Sequence, residues 1–145
     1  MQLIGFNLKK IHAERSQNFK RGPINTNIEF VEVEKDKLDF LKDLEAIRIA
    51  FIFTVTYADQ EKKDELKHGE ISFEGDIALS ATKDELKDII KSWKKKQIPD
   101  TVRFPLINYI LKKCSARALS LEDELNLPTH IPFPQVQKSV QQPTN

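Results

Sequence analysis

From Ile47 to Tyr57 the chain alternates with a period of two. Ile47, Ile49, Phe51, Phe53, Val55 and Tyr57 share one face; Ala46, Arg48, Ala50, Ile52, Thr54 and Thr56 share the other. That period predicts a strand with one strongly buried side. The second face is small and β-branched rather than charged, unlike a wet sheet face, so cover by a second chain or a bound partner is expected there. Three further strands follow from weaker patterns. Leu3 to Ser16 alternates irregularly through Leu3, Ile4, Phe6, Leu8 and Ile11, which predicts a long or bulged strand. Asn25 to Val33 sets Ile28 and Phe30 on one face and Glu29, Val31 and Val33 on the other. Lys67 to Leu79 sets Gly69, Ile71, Phe73, Gly75, Ile77 and Leu79 on one face, and Gly75 there marks a bulge or a close backbone approach. Phe19 to Pro23 reads as a turn or crossover. The polar connection Ala58 to Asp64 implies that its flanking strands pair antiparallel. Glu34 to Leu44 fits either a short helix through Leu38, Leu41 and Leu44 or a hairpin arm carrying Phe40.

After Thr82 the period changes to that of a helix. Thr82 and Glu85 form a capping-box pair, and Leu86, Ile89, Ile90 and Trp93 make the apolar stripe. A longer helix spans Val102 to Leu121, with Asp100 or Thr101 as its cap and an effective start near Phe104, so that Pro105 falls in its first turn. Leu106, Tyr109, Ile110, Lys113 and Arg117 follow one stripe; Ile107, Leu111, Cys114, Ala118 and Leu121 follow a neighbouring one. Such a helix is apolar around much of its circumference. Either the chain's own tail and another element cover it, or it packs against a second chain, which points to an oligomer. Asn126 to Pro134 reads as an extended arm whose Leu127, Ile131 and Phe133 need burial, and Gln135 to Asn145 as a polar, disordered tail. Strands followed by helices predict an α+β fold. It is a four-stranded antiparallel sheet, two helices packed on one side, and a C-terminal arm, with residues 1–134 as one domain and 135–145 as tail.

Composition narrows the function. With 23 basic and 22 acidic residues, the net charge of +1 lacks the cationic excess of a nucleic-acid binder. The single cysteine, Cys114, permits no internal disulfide, which fits a reducing cytoplasm. The opening MQLIGFNLKK has the wrong charge order for a signal peptide, and no run is long enough to insert in a membrane. The four glycines are too scattered for a phosphate cradle. His12, His68 and His130 have no metal-ligand spacing and read as surface or turn residues. Cys114 reads as a buried helix residue. The carboxylates lie in mixed charge runs that read as solvated faces. No catalytic site, metal or cofactor is expected. A small enzyme would have only Cys114, His130 or a hidden carboxylate pair to use. What stands out is surplus apolar surface: Ile52, Phe30 with Val31, Trp93, and the arm. It suits either a dimer core or grooves open to extended, non-native polypeptide.

The region VRFPLINYILKKCSARALSLEDELNLP resembles the signature region of the SecB-type export chaperones. Phe104 and Pro105 match the family's Phe-Pro pair, Ser115 and Arg117 its serine and arginine at the helix end, and Asn126, Leu127 and Pro128 its Asn-Leu-containing stretch. GEISFEGDIAL (Gly69 to Leu79), RIAFIFTVTYA (Arg48 to Ala58) and LKKIHAERSQNF (Leu8 to Phe19) are similar to its fourth, third and first strands, and the order of elements agrees from about Leu3 to Phe133. The resemblance implies a cytoplasmic homotetramer, a dimer of dimers, that holds unfolded precursors without ATP and hands them to a translocase motor. It implies Phe19, Phe30, Trp93 and Phe133 as peptide-binding residues and Leu106, Tyr109, Ile110 and Cys114 as assembly residues. Glu29, Glu32 and Glu34 are the nearest acidic patch for motor docking. The departures are specific. Ala118 stands at the family's glycine and Ser120-Leu121 at its second Phe-Pro, the Phe19 to Pro23 crossover is short, and the chain ends QVQKSVQQPTN without a basic-aromatic tail. They leave open a member dedicated to one partner, such as an antitoxin.

Overall fold

The computed structural model describes residues 1–36, 45–62 and 67–136. Four strands, β1 (Gln2–Arg15), β2 (Ile24–Asp36), β3 (Glu45–Ala58) and β4 (Lys67–Ala81), precede two helices, α1 (Lys83–Trp93) and α2 (Asp100–Glu124). The strands form one antiparallel sheet in the order β1-β4-β3-β2. The expected α+β architecture is therefore present, with β3 and β4 central. The continuation of Glu34 to Leu44 beyond Asp36 lies outside the described residues.

The centre of the sheet follows from the period-two pattern. Ile47, Ile49, Phe53 and Val55 are each 0% exposed. They stand opposite Leu79, Ile77, Phe73 and Ile71 of β4. Each such side chain contributes about 1.5–3 kcal/mol on burial, so a slip of one residue, which would turn all of them outward, is strongly disfavoured. Phe51 faces Gly75 instead, and β1 approaches there: a Cβ on Gly75 would lie 2.4 Å from the Asn7 carbonyl oxygen. The β1 ladder shifts register between Leu3 and Gly5 and between Leu8 and Lys10, as its irregular pattern predicts. Phe6 of β1 stacks on Phe51 at 5.6 Å and meets Tyr109 of α2 edge-on at 5.6 Å.

A bulge in β2 corrects one face assignment. The register shifts between Phe30 and Glu32, so Val31 is the extra residue. Val33 then stands opposite Ile49, on the same face as Ile28 and Phe30, rather than beside Glu29. The same shift sets Glu29, Glu32 and Glu34 opposite Ile52, Ala50 and Arg48, all on the outer face. Strict alternation would have split those carboxylates between the two faces.

The helices cover the apolar face. The Thr82 hydroxyl accepts from the Glu85 N–H at 3.2 Å and the Glu85 carboxylate accepts from the Thr82 N–H at 3.0 Å, closing the expected capping box. α1 buries Leu86 and Ile89. It ends in a Schellman stop: the Gln97 N–H donates to Ser92 O at 3.2 Å and the Lys96 N–H to Trp93 O at 2.7 Å, with Lys96 at φ 58°. α2 starts at Asp100 with Pro99 as its cap and no capping side chain, so neither Asp100 nor Thr101 caps it and it does not start near Phe104. Pro105 is thus inside the helix. Its missing N–H leaves the carbonyl of Thr101 without a helical donor, but Thr101 is exposed and water can serve it.

The apolar circumference of α2 has a geometric cause. Of its seven buried residues all but Ser115, namely Val102, Leu106, Ile110, Cys114, Ala118 and Glu122, recur every fourth position. At 3.6 residues per turn each step advances the buried line by about 40°. Over the helix the line swings by roughly 200°, so apolar residues occupy most of a helical wheel although only one line is buried at any level. The far end is covered by the chain's own arm. A second Schellman stop turns the chain there, with Asn126 at φ 54° and the Leu127 N–H donating to Glu122 O at 2.8 Å. Leu127 is buried and Pro128 prevents the helix from resuming.

Replacing Gly75 by Ala forces a methyl group against the β1 backbone. The expected loss is about 1–3 kcal/mol, read as a lower urea midpoint.

Candidate functional site

An opening of about 770 Å³ lies between the edge strand β2 and the junction of the two helices. Ile28, Glu29, Phe30 and Val31 form the strand wall; Trp93, Lys96, Gln97, Ile98, Asp100 and Arg103 form the helical wall. The bulge gives Val31 an outward side chain, 47% exposed. Ile98 is buried in the groove floor, while Phe30 and Trp93 are half-buried against the core. The Lys96 ammonium lies over the Trp93 ring, 5.0 Å from its centre. Arg103 is bound to Asp100 at 3.1 Å. The groove thus joins an apolar floor to a charged rim, a form suited to an extended polypeptide whose side chains alternate.

Phe30 and Trp93, both singled out from sequence, meet in this groove. Phe19 and Phe133 do not join them. Phe19 packs edge-on against Tyr57 and His68, at 6.2 and 6.1 Å, under the Arg15 guanidinium at 4.9 Å. It borders a separate depression with Arg15, Arg21 and the start of the arm. Phe133 lies beyond the anchored part of the arm and is 56% exposed. Of the residues read as an assembly face, Leu106, Ile110 and Cys114 are buried in the core of their own chain and Tyr109 is half-buried against Phe6. The Cys114 thiol is pushed up to about 11 by burial, so it is not a nucleophile. Among the apolar residues of α2, Phe104 is exposed and Ile107 and Leu111 are half-buried.

The outer face of the sheet carries Glu29, Glu32 and Glu34. The Glu32 carboxyl is raised above its ordinary value, first by its hydrogen bond to Glu34, then by that residue's charge. Lys9 and Lys96 act in the opposite direction. On the β1–β4 side of the same face, His12, Glu14 and Glu70 bring three ligand atoms within 4.8 Å of one another. Glu70 is shared with Lys67 at 3.4 Å.

Of the histidines read as surface or turn residues, His68 is buried, and His130 is half-buried with its side chain only 3% exposed. His68 binds Asp59 at 2.7 Å. Asp59 also accepts from the N–H groups of Glu61 and Lys62, at 2.8 and 2.9 Å. The His68 bond, then the Lys62 and Glu61 N–H groups, hold its carboxyl well below the usual range. His130 closes a second network. Glu122, 0% exposed, accepts from the His130 N–H at 2.9 Å, and its carboxylate lies 2.9 Å from His130 Nδ1. It also accepts from the Tyr57 hydroxyl, which lies 3.0 Å from the Pro128 carbonyl. Nε2 of His130 lies 3.1 Å from Ser115 Oγ. Burial, then the Glu122 hydrogen bond and charge, raise the Tyr57 hydroxyl far above its ordinary value. The serine–histidine–glutamate connectivity is that of a nucleophilic relay, but the local structure is not. The Ser115 N–H is committed to the middle of α2, and Ser115 and Glu122 are buried. The network is a clamp that holds the arm on α2 and β3. It was invisible in the sequence because its members stand 65 and 8 positions apart. The nearest local signal was Pro128, which forces the chain to turn back beside Glu122.

No protein-family model matches the chain, and no curated protein matches it. Among solved structures, the chain is similar to the Mycobacterium tuberculosis SecB-like chaperone Rv1957 in complex with a ChAD peptide from the antitoxin HigA1 (Rv1956). The two are 19% identical, the match covers 94% of this chain and 91% of that one, and the TM-score is 0.47.

Removing the clamp carboxylate by Glu122→Ala leaves His130, Tyr57 and Ser115 without their common partner. The expected loss is about 3–5 kcal/mol, with faster proteolytic cleavage within the arm beyond Pro128 as a second readout. The Asp59–His68 pair gives a pH signature. Because the folded carboxyl is depressed, its contribution is fully present above the unfolded value of about 3.9 and is lost as pH falls below it. Urea midpoints measured downward from about pH 5 should therefore fall more steeply for the wild type than for Asp59→Asn.

Proposed function

We propose that the protein is a chaperone that binds unfolded or nascent polypeptide without ATP and keeps it competent for hand-over. The groove between β2 and the helices carries the reading. It is open, its floor is Phe30, Trp93 and Ile98, and it borders an edge strand whose backbone groups can pair with an incoming chain. The sequence resemblance to SecB-type chaperones supports the same reading. In it, residues 1–134 form the working domain of a cytoplasmic homotetramer. With Leu106, Ile110 and Cys114 turned to their own sheet, the subunit contacts fall to the outer stripe of Phe104, Ile107 and Leu111 and to exposed Leu3, Ile4 and Ile11 of β1. The acidic outer face at Glu29, Glu32 and Glu34 is the surface offered to a translocase motor.

One observation favours a narrower form of this reading, in which the chaperone serves a single partner such as an antitoxin. Phe19, the aromatic of the short crossover, is spent on Tyr57 and His68 and does not extend the groove. The groove is therefore a single short site rather than a long track, and a short site fits one segment better than many.

Stoichiometric protein should suppress aggregation of several unrelated unfolded clients and ignore their folded forms. Trp93→Ala should weaken client binding roughly tenfold, the scale of an interface aromatic anchor. Val31→Asp, at an exposed position, should do so without lowering the melting temperature. Protection of one purified partner, with none for other clients, would support the dedicated form. Failure to bind any unfolded chain would overturn both.

A further inference from the structure

Lys96 stands where a glycine would be cheaper. It is the left-handed residue of the α1 stop, at φ 58°, and an L-residue in that conformation costs about 1–2 kcal/mol. A strained residue in a groove wall calls for a reason beyond the turn itself. Its side chain supplies one: the ammonium lies 5.0 Å from the centre of the Trp93 ring, at the lip of the groove. The surrounding charges are divided by wall. On the helical side Arg103 is taken by Asp100, while among the described residues none of Lys94, Lys95 and Lys96 is in an ion pair. On the strand side Glu29 lines the groove and Glu32 lies near it on the outer face. A carboxylate entering the groove is repelled by the strand wall and attracted to the helical lip.

We propose, on the basis of the client-binding reading above, that Lys96 is a specificity-determining residue. The groove selects extended segments in which an apolar or aromatic side chain is followed within two residues by Asp or Glu. The apolar side chain packs on Phe30 and Trp93, and the carboxylate meets the Lys96 ammonium. At about 3.3 Å per residue, a spacing of one or two residues covers the separation between the Trp93 ring and that ammonium.

The test uses the full chain and three peptides that share a Phe-centred apolar core and differ only at the second residue after the Phe, as Glu, Gln or Lys. Labelled-peptide anisotropy reads affinity, and the emission of Trp93, the single tryptophan, reports occupancy of the groove. The expected order is Glu, then Gln, then Lys. An exposed ion pair should favour Glu over Gln by up to about fivefold, narrowing as salt rises. Lys96→Gly should erase the ranking and leave the melting temperature equal or higher, because it relieves the left-handed strain. Lys96→Gln, which keeps the stem of the side chain, should erase the ranking as well. If all three peptides bind with no preference for Glu, or if the preference survives in either variant, the selectivity is overturned and client binding stands. If neither these peptides nor any unfolded client binds, both fall.

Discussion

The register of β3 against β4 is the constraint on which the other elements rest. Ile47, Ile49, Phe53 and Val55 have partners of their own kind across the ladder and are sealed from water. With the central pair fixed, β1 and β2 must be the edges, and the helices can cover only the apolar face. β1 is then drawn tight against Gly75, and β2 is left with a free side. The groove is a by-product of that layout. It lies where the end of α1 at Trp93 and the chain leading to Asp100 face the edge strand β2.

Where a local rule governs the outcome, the sequence was legible. Strand periodicity identified all four strands, the pair Thr82 and Glu85 identified the start of α1, and Gly75 was readable as a close approach. Phe30 and Trp93 were legible as surplus apolar residues, and they line one groove. What could not be read depended on long-range registration. The Val31 bulge has no composition signal, yet it decides which way Val33 and two glutamates, Glu32 and Glu34, point. His68 and His130 looked like turn residues because their partners, Asp59 and Glu122, become neighbours only after folding. The long helix misled for a geometric reason: a four-residue repeat mimics two-sided burial when its line of contact winds around the axis.

Both helix stops use a left-handed residue other than glycine, and the two choices serve different ends. Asn126 turns the chain into the arm that seals Glu122, where a polar side chain tolerates the conformation. Lys96 turns it beside the groove, where its charge lies over Trp93. The chain has four glycines, and none of those described adopts a positive φ. Its tight reversals are thus made by residues that keep a side chain, and in the second case the side chain faces the candidate site.

The extra residue at Val31 also sets how this protein can vary. Substitutions along β2 alter one side chain at a time. Deleting Val31 would remove the bulge and leave Val33 facing the core and Glu32 and Glu34 outside, because Phe30 and Glu32 already stand opposite consecutive residues of β3, Phe51 and Ala50. A one-residue change of length at this point is therefore absorbed by the bulge, while the alternation on either side of it must be kept. The outer acidic surface and the apolar floor of the groove are inherited together, as two readings of a single frame.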